Sequence, residues 1–363
     1  MTVQEDAMEG NTDFSKIISE FIEKRPLYDA FTKKTETIIK ELLNEEHFSI
    51  HEISSRTKEI DSFSDKVKKE EKFYDKLSDV TDLSGVRIIC YFSDDVDKAA
   101  AIIRENFKVN YEKSIDKRKL LEPDQFGYLS LHYIVEFSDE RLILPECKKY
   151  KELMCEIQIR SILQHAWAEI EHDFGYKSSI GIPKEIRRQF SRQAGLLELA
   201  DEQFVAIKND IRDYTNSVKS VIERTYANIL IDDISMKTYL DSSQTIKRID
   251  SIMGIDPSGT QEKANLIEYD VEICQYFKIS TLDNLENILK ENEEKLIKFM
   301  KQFLTSKYSR GHPIWFLGYL LAAKNENLVE IKNYVVSQEI YAKSEDEQEK
   351  LVNKILTIYK NIE

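Results

Sequence analysis

Glycine and proline are scarce in this chain, with ten and six in 363 residues. A turn-rich β architecture uses more of both, so the scarcity argues for long helices, as does a charged content of 33%. Long hydrophobic runs are missing too. The longest, PIWFLGYLLAA from Pro313 to Ala323, falls well short of the roughly 20 residues that span a bilayer, and it reads as a buried helix. The first residues, MTVQEDAMEG, lack the basic-then-apolar order of an export signal. Four cysteines, Cys90, Cys147, Cys155 and Cys274, form no CxxC or Cys/His zinc spacing. Cys90 and Cys155 lie in apolar strand-like runs, as buried thiols do. Together these absences predict a cytoplasmic protein without a membrane partner. An excess of positive charge is absent as well: a net charge of −14 excludes broad, sequence-independent nucleic-acid binding by the whole surface. Local basic clusters do occur in the first third, at Lys33 and Lys34, from Lys66 to Lys72, and from Lys113 to Lys119.

What is present is enough apolar material, 41% of residues, for two domains with proper cores. Phe14, Ile17, Ile18 and Phe21, then Ile38, Ile39, Leu42 and Leu43, fall at helical spacing, which predicts a helix kinked or broken at Pro26. FSIHEISSRTK reads as a strand and DSFSDKVKKEEKFYDKL as a helix capped by Asp61. GVRIICYF is a central strand, VDKAAAIIRENF a helix, and YIVEF and LMCEIQIRS further strands. From Ser161 onward the periods are helical, with a break at Gly181 and Pro183. The expected organisation is an N-terminal helical segment 1–44, an α+β domain 45–185 and an all-α domain 186–363.

Four segments set polar groups at strand ends or along one strand face. In SRTKEIDSFSDK, Arg56 and Lys58 end a strand, and Ser62 and Lys66 occupy the first turns of a helix whose free amides favour anions. In TDLSGVR, Asp82 precedes a strand and Arg87 lies within it. In CEIQIR, Glu156, Gln158 and Arg160 share one strand face, with Cys155, Ile157 and Ile159 on the other. In DQFGYLSLHYIVEF, Ser130 and His132 open the polar face of a strand, next to Gly127 and Tyr128. Acids and bases on neighbouring strands of one small domain ask for a phosphate-rich ligand and a metal, because buried charge is costly unless compensated. His165 and His172 lack a third ligand and read as helix-packing residues, and Trp167 as core.

These four segments, in this order, resemble the synthetase domain of the RelA/SpoT family, especially its small single-synthetase members, over roughly residues 45–180. The resemblance implies a nucleotidyltransferase-like mixed sheet flanked by helices, and transfer of the β,γ-pyrophosphate of ATP to a ribose 3′-hydroxyl. By motif position, Arg56 and Arg87 would sandwich the adenine, and Lys58, Ser62 and Lys66 would hold the ATP phosphates. Asp82 and Glu156 would hold Mg²⁺, with Glu156 also drawing the proton from the attacking hydroxyl. Tyr128 would stack on the acceptor base, and His132, Gln158 and Arg160 would line the acceptor side.

The acceptor stays open between two alternatives. GDP or GTP would give (p)ppGpp. However, Phe126 and Leu129 stand where alarmone-making members usually carry Asn and Arg. That loop resembles the toxic branch of small synthetases, which pyrophosphorylates the 3′ CCA end of tRNA and inhibits translation. In that case the helical half would serve as an antitoxin or sensor. A third alternative, a non-catalytic nucleotide-binding regulator, is opposed by the intact Asp82, Glu156, Arg56 and Lys66. The helical half is also the expected surface for a protein partner or a second copy of the chain.

Overall fold

Alternation of apolar and polar side chains builds a five-stranded sheet in the first half of the chain. In a computed structural model, which describes residues 14–68, 74–119, 130–176, 183–254, 267–304, 313–338 and 344–362, the strands are β1 Ile50–Thr57, β2 Ser84–Cys90, β3 Phe107–Asp116, β4 Leu131–Phe137 and β5 Cys155–Ser161. Their order is β1-β2-β5-β4-β3. Only β2 and β5 run parallel; the other three pairs are antiparallel. The sheet is thus mixed, as expected.

One face is apolar. Val86, Ile88, Tyr133, Val135, Ile157 and Ile159 join a core with Phe21, Phe31 and Ile39 of helix α1 (Phe14–Glu45) and Ala99 and Ile103 of α3 (Ser93–Asn106). Helix α1 was expected as a segment of its own, but its buried stripe makes it part of this core. It also runs unbroken through Pro26. The carbonyl that loses its partner belongs to Ile22, a half-exposed position where water can serve it.

Two local expectations change. The helix after β1, α2, spans only Ile60–Val67 and starts from Glu59, with no side-chain cap, so Asp61 lies in its first turn instead of capping it. The acid still suits that end of the helix dipole. The strand β3 had no counterpart in the sequence reading. Its exposed Tyr111 and Ile115 and its bulge between Asn110 and Ile115 blur the alternation that marks a strand.

The chain divides into two compact units, residues 1–208 and 209–363. The composition break at Gly181 and Pro183 precedes this division because one helix, α6 Lys184–Ile222, runs across it. The second unit is helical in its described residues, with Tyr239, Leu289, Phe299, Phe316, Tyr334 and Ile355 in its core. PIWFLGYLLAA is the buried helix anticipated, Pro313–Ala323. Within it Gly318 is required, since a Cβ there would meet the Tyr334 hydroxyl oxygen at 1.9 Å. Glu286 fastens two further segments by accepting hydrogen bonds from Tyr239 Oη (2.5 Å) and Thr245 Oγ1 (2.7 Å). All four cysteines are buried and free, and no described helix is long and apolar enough to cross a membrane.

Candidate active site

The second face of the sheet is polar, and its register explains why. Arg56 pairs with Gly85, and Gly85 with Glu156; one step along, Ser54 pairs with Arg87, Arg87 with Gln158, and Gln158 with His132. Directly paired residues point to the same side of a sheet, so Arg56, Arg87, Glu156, Gln158 and His132 share this face. Gly85 leaves a gap without a side chain between Arg56 and Glu156. The opposite face of β5 is closed by Cys155, Ile157 and Ile159, all fully buried.

At one end of this face three charges meet. Lys58 follows β1, Lys66 sits in the last turn of α2, and Asp82 precedes β2. The Lys58 backbone is held on both sides: its N–H donates to the Leu83 carbonyl at 2.9 Å, and its carbonyl accepts from Arg25 Nε at 3.3 Å. Its ammonium reaches Asp82 Oδ2 at 2.7 Å, while Lys66 Nζ lies 2.8 Å from Oδ1. Burial alone would raise the Asp82 carboxyl, but the two lysines outweigh it and hold the group below the usual carboxylate range.

Glu156 is the second acid. Its Oε1 lies 2.8 Å from His132 Nδ1, and its Oε2 accepts from Gln158 Nε2 at 3.2 Å. Burial and the negative charge of Asp82 push its carboxyl up; the hydrogen bond and charge of His132 and the Gln158 amide pull it down, and the net shift is downward. Both acids are therefore ionised at neutral pH, close enough for Glu156 to feel the charge of Asp82.

Helix α5, Ile162–Tyr176, supplies a residue that the sequence reading did not single out. Glu169 Oε1 receives Arg87 Nη1 at 3.0 Å and Arg160 Nη2 at 3.4 Å, with His165 Nδ1 at 3.6 Å. Burial, together with the positive Arg160 and Arg87, lowers the His165 pKa. Trp167 is buried, as expected for core.

The structure thus brings together Lys58, Lys66 and Asp82 in one group and His132, Gln158 and Glu156 in another, with Arg56 and Arg87 on the same face. Ser62 is exposed in the first turn of α2. Arg160, only 2% exposed, is buried and tied to Glu169. Tyr128, Phe126 and Leu129 lie outside the described residues. Besides Glu169, Ser130 went unassigned: it is fully buried, and its Oγ lies 2.5 Å from His132 Nε2. Its position two residues before His132 was the available signal. A separate cavity of about 240 Å³, lined by Arg118, Trp167, Glu198, Asp201 and Glu202 among others, shares none of these residues. Three carboxylates against one arginine suit it poorly to phosphate.

Residues 55–181 match the family described as a region found in RelA / SpoT proteins. The GTP pyrophosphokinase YjbM of Bacillus subtilis is 27% identical over 172 residues, which cover 47% of this chain and 77% of that protein. YwaC of the same organism, also named GTP pyrophosphokinase, is 28% identical over 168 residues, 46% of this chain and 77% of its own length. Among solved structures, a GTP pyrophosphokinase family protein from Streptococcus pneumoniae aligns with a TM-score of 0.46 at 25% identity, covering 54% of this chain and 96% of that one. The family match contains every residue of the two groups, and it ends before the long helix α6 begins. Residues 55–181 therefore carry the region found in RelA / SpoT proteins and are similar to the two GTP pyrophosphokinases.

Proposed function

We propose that this domain transfers the β,γ-pyrophosphate of ATP to the ribose 3′-hydroxyl of GDP or GTP, making (p)ppGpp. The observation that carries the reading is the pair of ionised carboxylates, Asp82 and Glu156, on one sheet face beside Lys58 and Lys66. The 3′-oxygen forms a bond to the β-phosphorus, the bond from that phosphorus to the α,β-bridging oxygen breaks, and AMP leaves with the bridging oxygen. The 3′-hydroxyl proton passes to Glu156. Lys58 and Lys66 would exchange Asp82 for phosphate oxygens of the entering ATP, and Arg56 and Arg87 would stack on the adenine, guanidinium planes on a π-face. Such chemistry needs alignment and charge neutralisation more than covalent help.

The donor set suits Mg²⁺. Among the described residues no three His, Cys, Asp or Glu side chains converge, and Mg²⁺ is held by one or two carboxylates plus substrate phosphates and water. Asp82 and Glu156 would hold it, and the bound ion would neutralise phosphate charge. The relatives named GTP pyrophosphokinase favour GDP or GTP as acceptor. Phe126 and Leu129 favour the second reading, the 3′ end of tRNA, and the helical unit would then act as an antitoxin or sensor.

The test is incubation with γ-labelled ATP and, in parallel, GDP, GTP and deacylated tRNA. Label on a guanine nucleotide, with AMP released, supports the main reading. Label on tRNA alone supports the second, and no transfer at all would leave a nucleotide-binding regulator.

A further inference from the structure

We infer that Ser130 and His132 are positioning residues that aim the Glu156 carboxylate, a role distinct from lining the acceptor pocket. The inference rests on reading Glu156 as the base. An ionised carboxylate only accepts hydrogen bonds, so His132 Nδ1, 2.8 Å from Glu156 Oε1, carries the proton and donates. Nε2, the other ring nitrogen, lies 2.5 Å from the hydroxyl oxygen of Ser130. The serine hydroxyl donates to an unprotonated Nε2 and accepts from a protonated one, so in either state it holds the ring with the Nδ1 proton toward Glu156. Both ring nitrogens are engaged by protein atoms, which fixes the ring plane and leaves neither as a ready contact for a ligand.

The anchor of this chain is rigid. Ser130 is fully buried, and its carbonyl accepts the Lys117 N–H at 3.0 Å, so the first atom of the relay is tied to the backbone next to β3. At the other end Gln158 Nε2 holds Glu156 Oε2 at 3.2 Å. His132 and Gln158 are cross-strand partners, and Glu156 is two residues from Gln158 on the same face. Each carboxylate oxygen thus has one protein donor and retains a lone pair for the incoming hydroxyl. A carboxylate clamped from both sides loses the rotation that would otherwise have to be frozen in the transition state.

The test is steady-state transfer from ATP by the full chain, using whichever of GDP, GTP or tRNA the wild type labels, with affinity for a non-hydrolysable ATP analogue measured alongside. His132→Ala should lower kcat about a hundredfold, the lower end of general-base effects, with analogue affinity and acceptor KM unchanged. His132→Asn, whose amide can donate from the Nδ1 position, should restore part of the loss, and His132→Gln should not. Ser130→Ala should lower kcat about five- to tenfold, as for one hydrogen bond. In a Glu156→Gln background, His132→Ala should add nothing, because its effect passes through the lost base. A raised acceptor KM with kcat intact in His132→Ala, or full additivity with Glu156→Gln, overturns the positioning role alone. Wild-type turnover by Glu156→Gln overturns the base itself, and the positioning role with it.

Discussion

Lys58 Nζ stands 2.7 Å from Asp82 Oδ2, with the lysine and aspartate side chains only 16% and 24% exposed. Each depends on the other for compensation in a partly dry setting. Asp82→Asn keeps the shape and removes the charge, so transfer should fall at least about a hundredfold, as when one preorganised electrostatic group is lost. Because a hydrogen bond to a charged group is also lost, the first unit should be less stable by about 1.5–3 kcal/mol. Turnover and denaturant unfolding without nucleotide check the two effects, and normal turnover would remove Asp82 from the mechanism.

Asp270, 2% exposed in the helical unit, has its carboxyl raised well above the usual range by burial. A raised folded pKa means that the native state keeps a proton which the unfolded chain releases. Stability contributed this way is complete below the unfolded value, near pH 4 for aspartate, and falls as pH rises toward the folded value. Asp270→Asn should flatten that slope, raising the melting temperature of the helical unit at pH 8 more than at pH 4. An equal shift at both pH values would mean that the aspartate does not titrate in this way.

A fragment ending at residue 212 keeps the contacts that bind α6 to the first unit: Lys208 Nζ to Asp94 Oδ1 at 3.0 Å and to Asp95 Oδ1 at 2.8 Å, and Ser161 Oγ to Asp201 Oδ2 at 2.5 Å. It should be soluble and unfold cooperatively. If the helical unit restrains the synthetase, the fragment should also be more active or more toxic than the full chain. Aggregation would mean that the two units depend on each other to fold, and equal activity would rule out restraint.

Tyr128 is predicted to stack on the acceptor base. Base-on-aromatic stacking contributes about 1–3 kcal/mol, so Tyr128→Ala should weaken acceptor affinity roughly five- to 150-fold and spare ATP. Tyr128→Phe should retain most of the effect. Changing Lys33 and Lys34 to Glu should abolish transfer to tRNA yet barely alter transfer to GDP, since phosphate-backbone attraction is the main term for a long nucleic acid. Unchanged acceptor affinity in Tyr128→Ala would exclude the stacking role.

Much of the site was legible because strand alternation is local. Glu156 and Gln158 fall on one face by counting residues, and Lys58, Lys66 and Asp82 flank elements that periodicity locates. Glu169 was not legible. It sits on a helix among other acids, Glu171 and Asp173, and nothing in its spacing says that it turns toward Arg87 and Arg160. The edge strand β3 was missed for a related reason: its exposed Tyr111 and Ile115 weaken the period-two signal that a buried strand displays.

By itself the sequence determined the local terms: helix-rich composition, the alternation that splits the sheet into an apolar and a polar face, and the identities of the charged groups. Those depend on neighbours a few residues apart. Only the tertiary structure decided which distant groups meet, because strand order and register are set by how side chains pack across the whole sheet. The parallel pairing of β2 with β5 puts Gly85 beside Glu156, and the antiparallel pairing of β4 with β5 brings His132 across from Gln158. Ser130 and His132 alternate with apolar residues in the sequence; linked through the imidazole to Glu156, they become the support of a carboxylate 24 positions beyond His132.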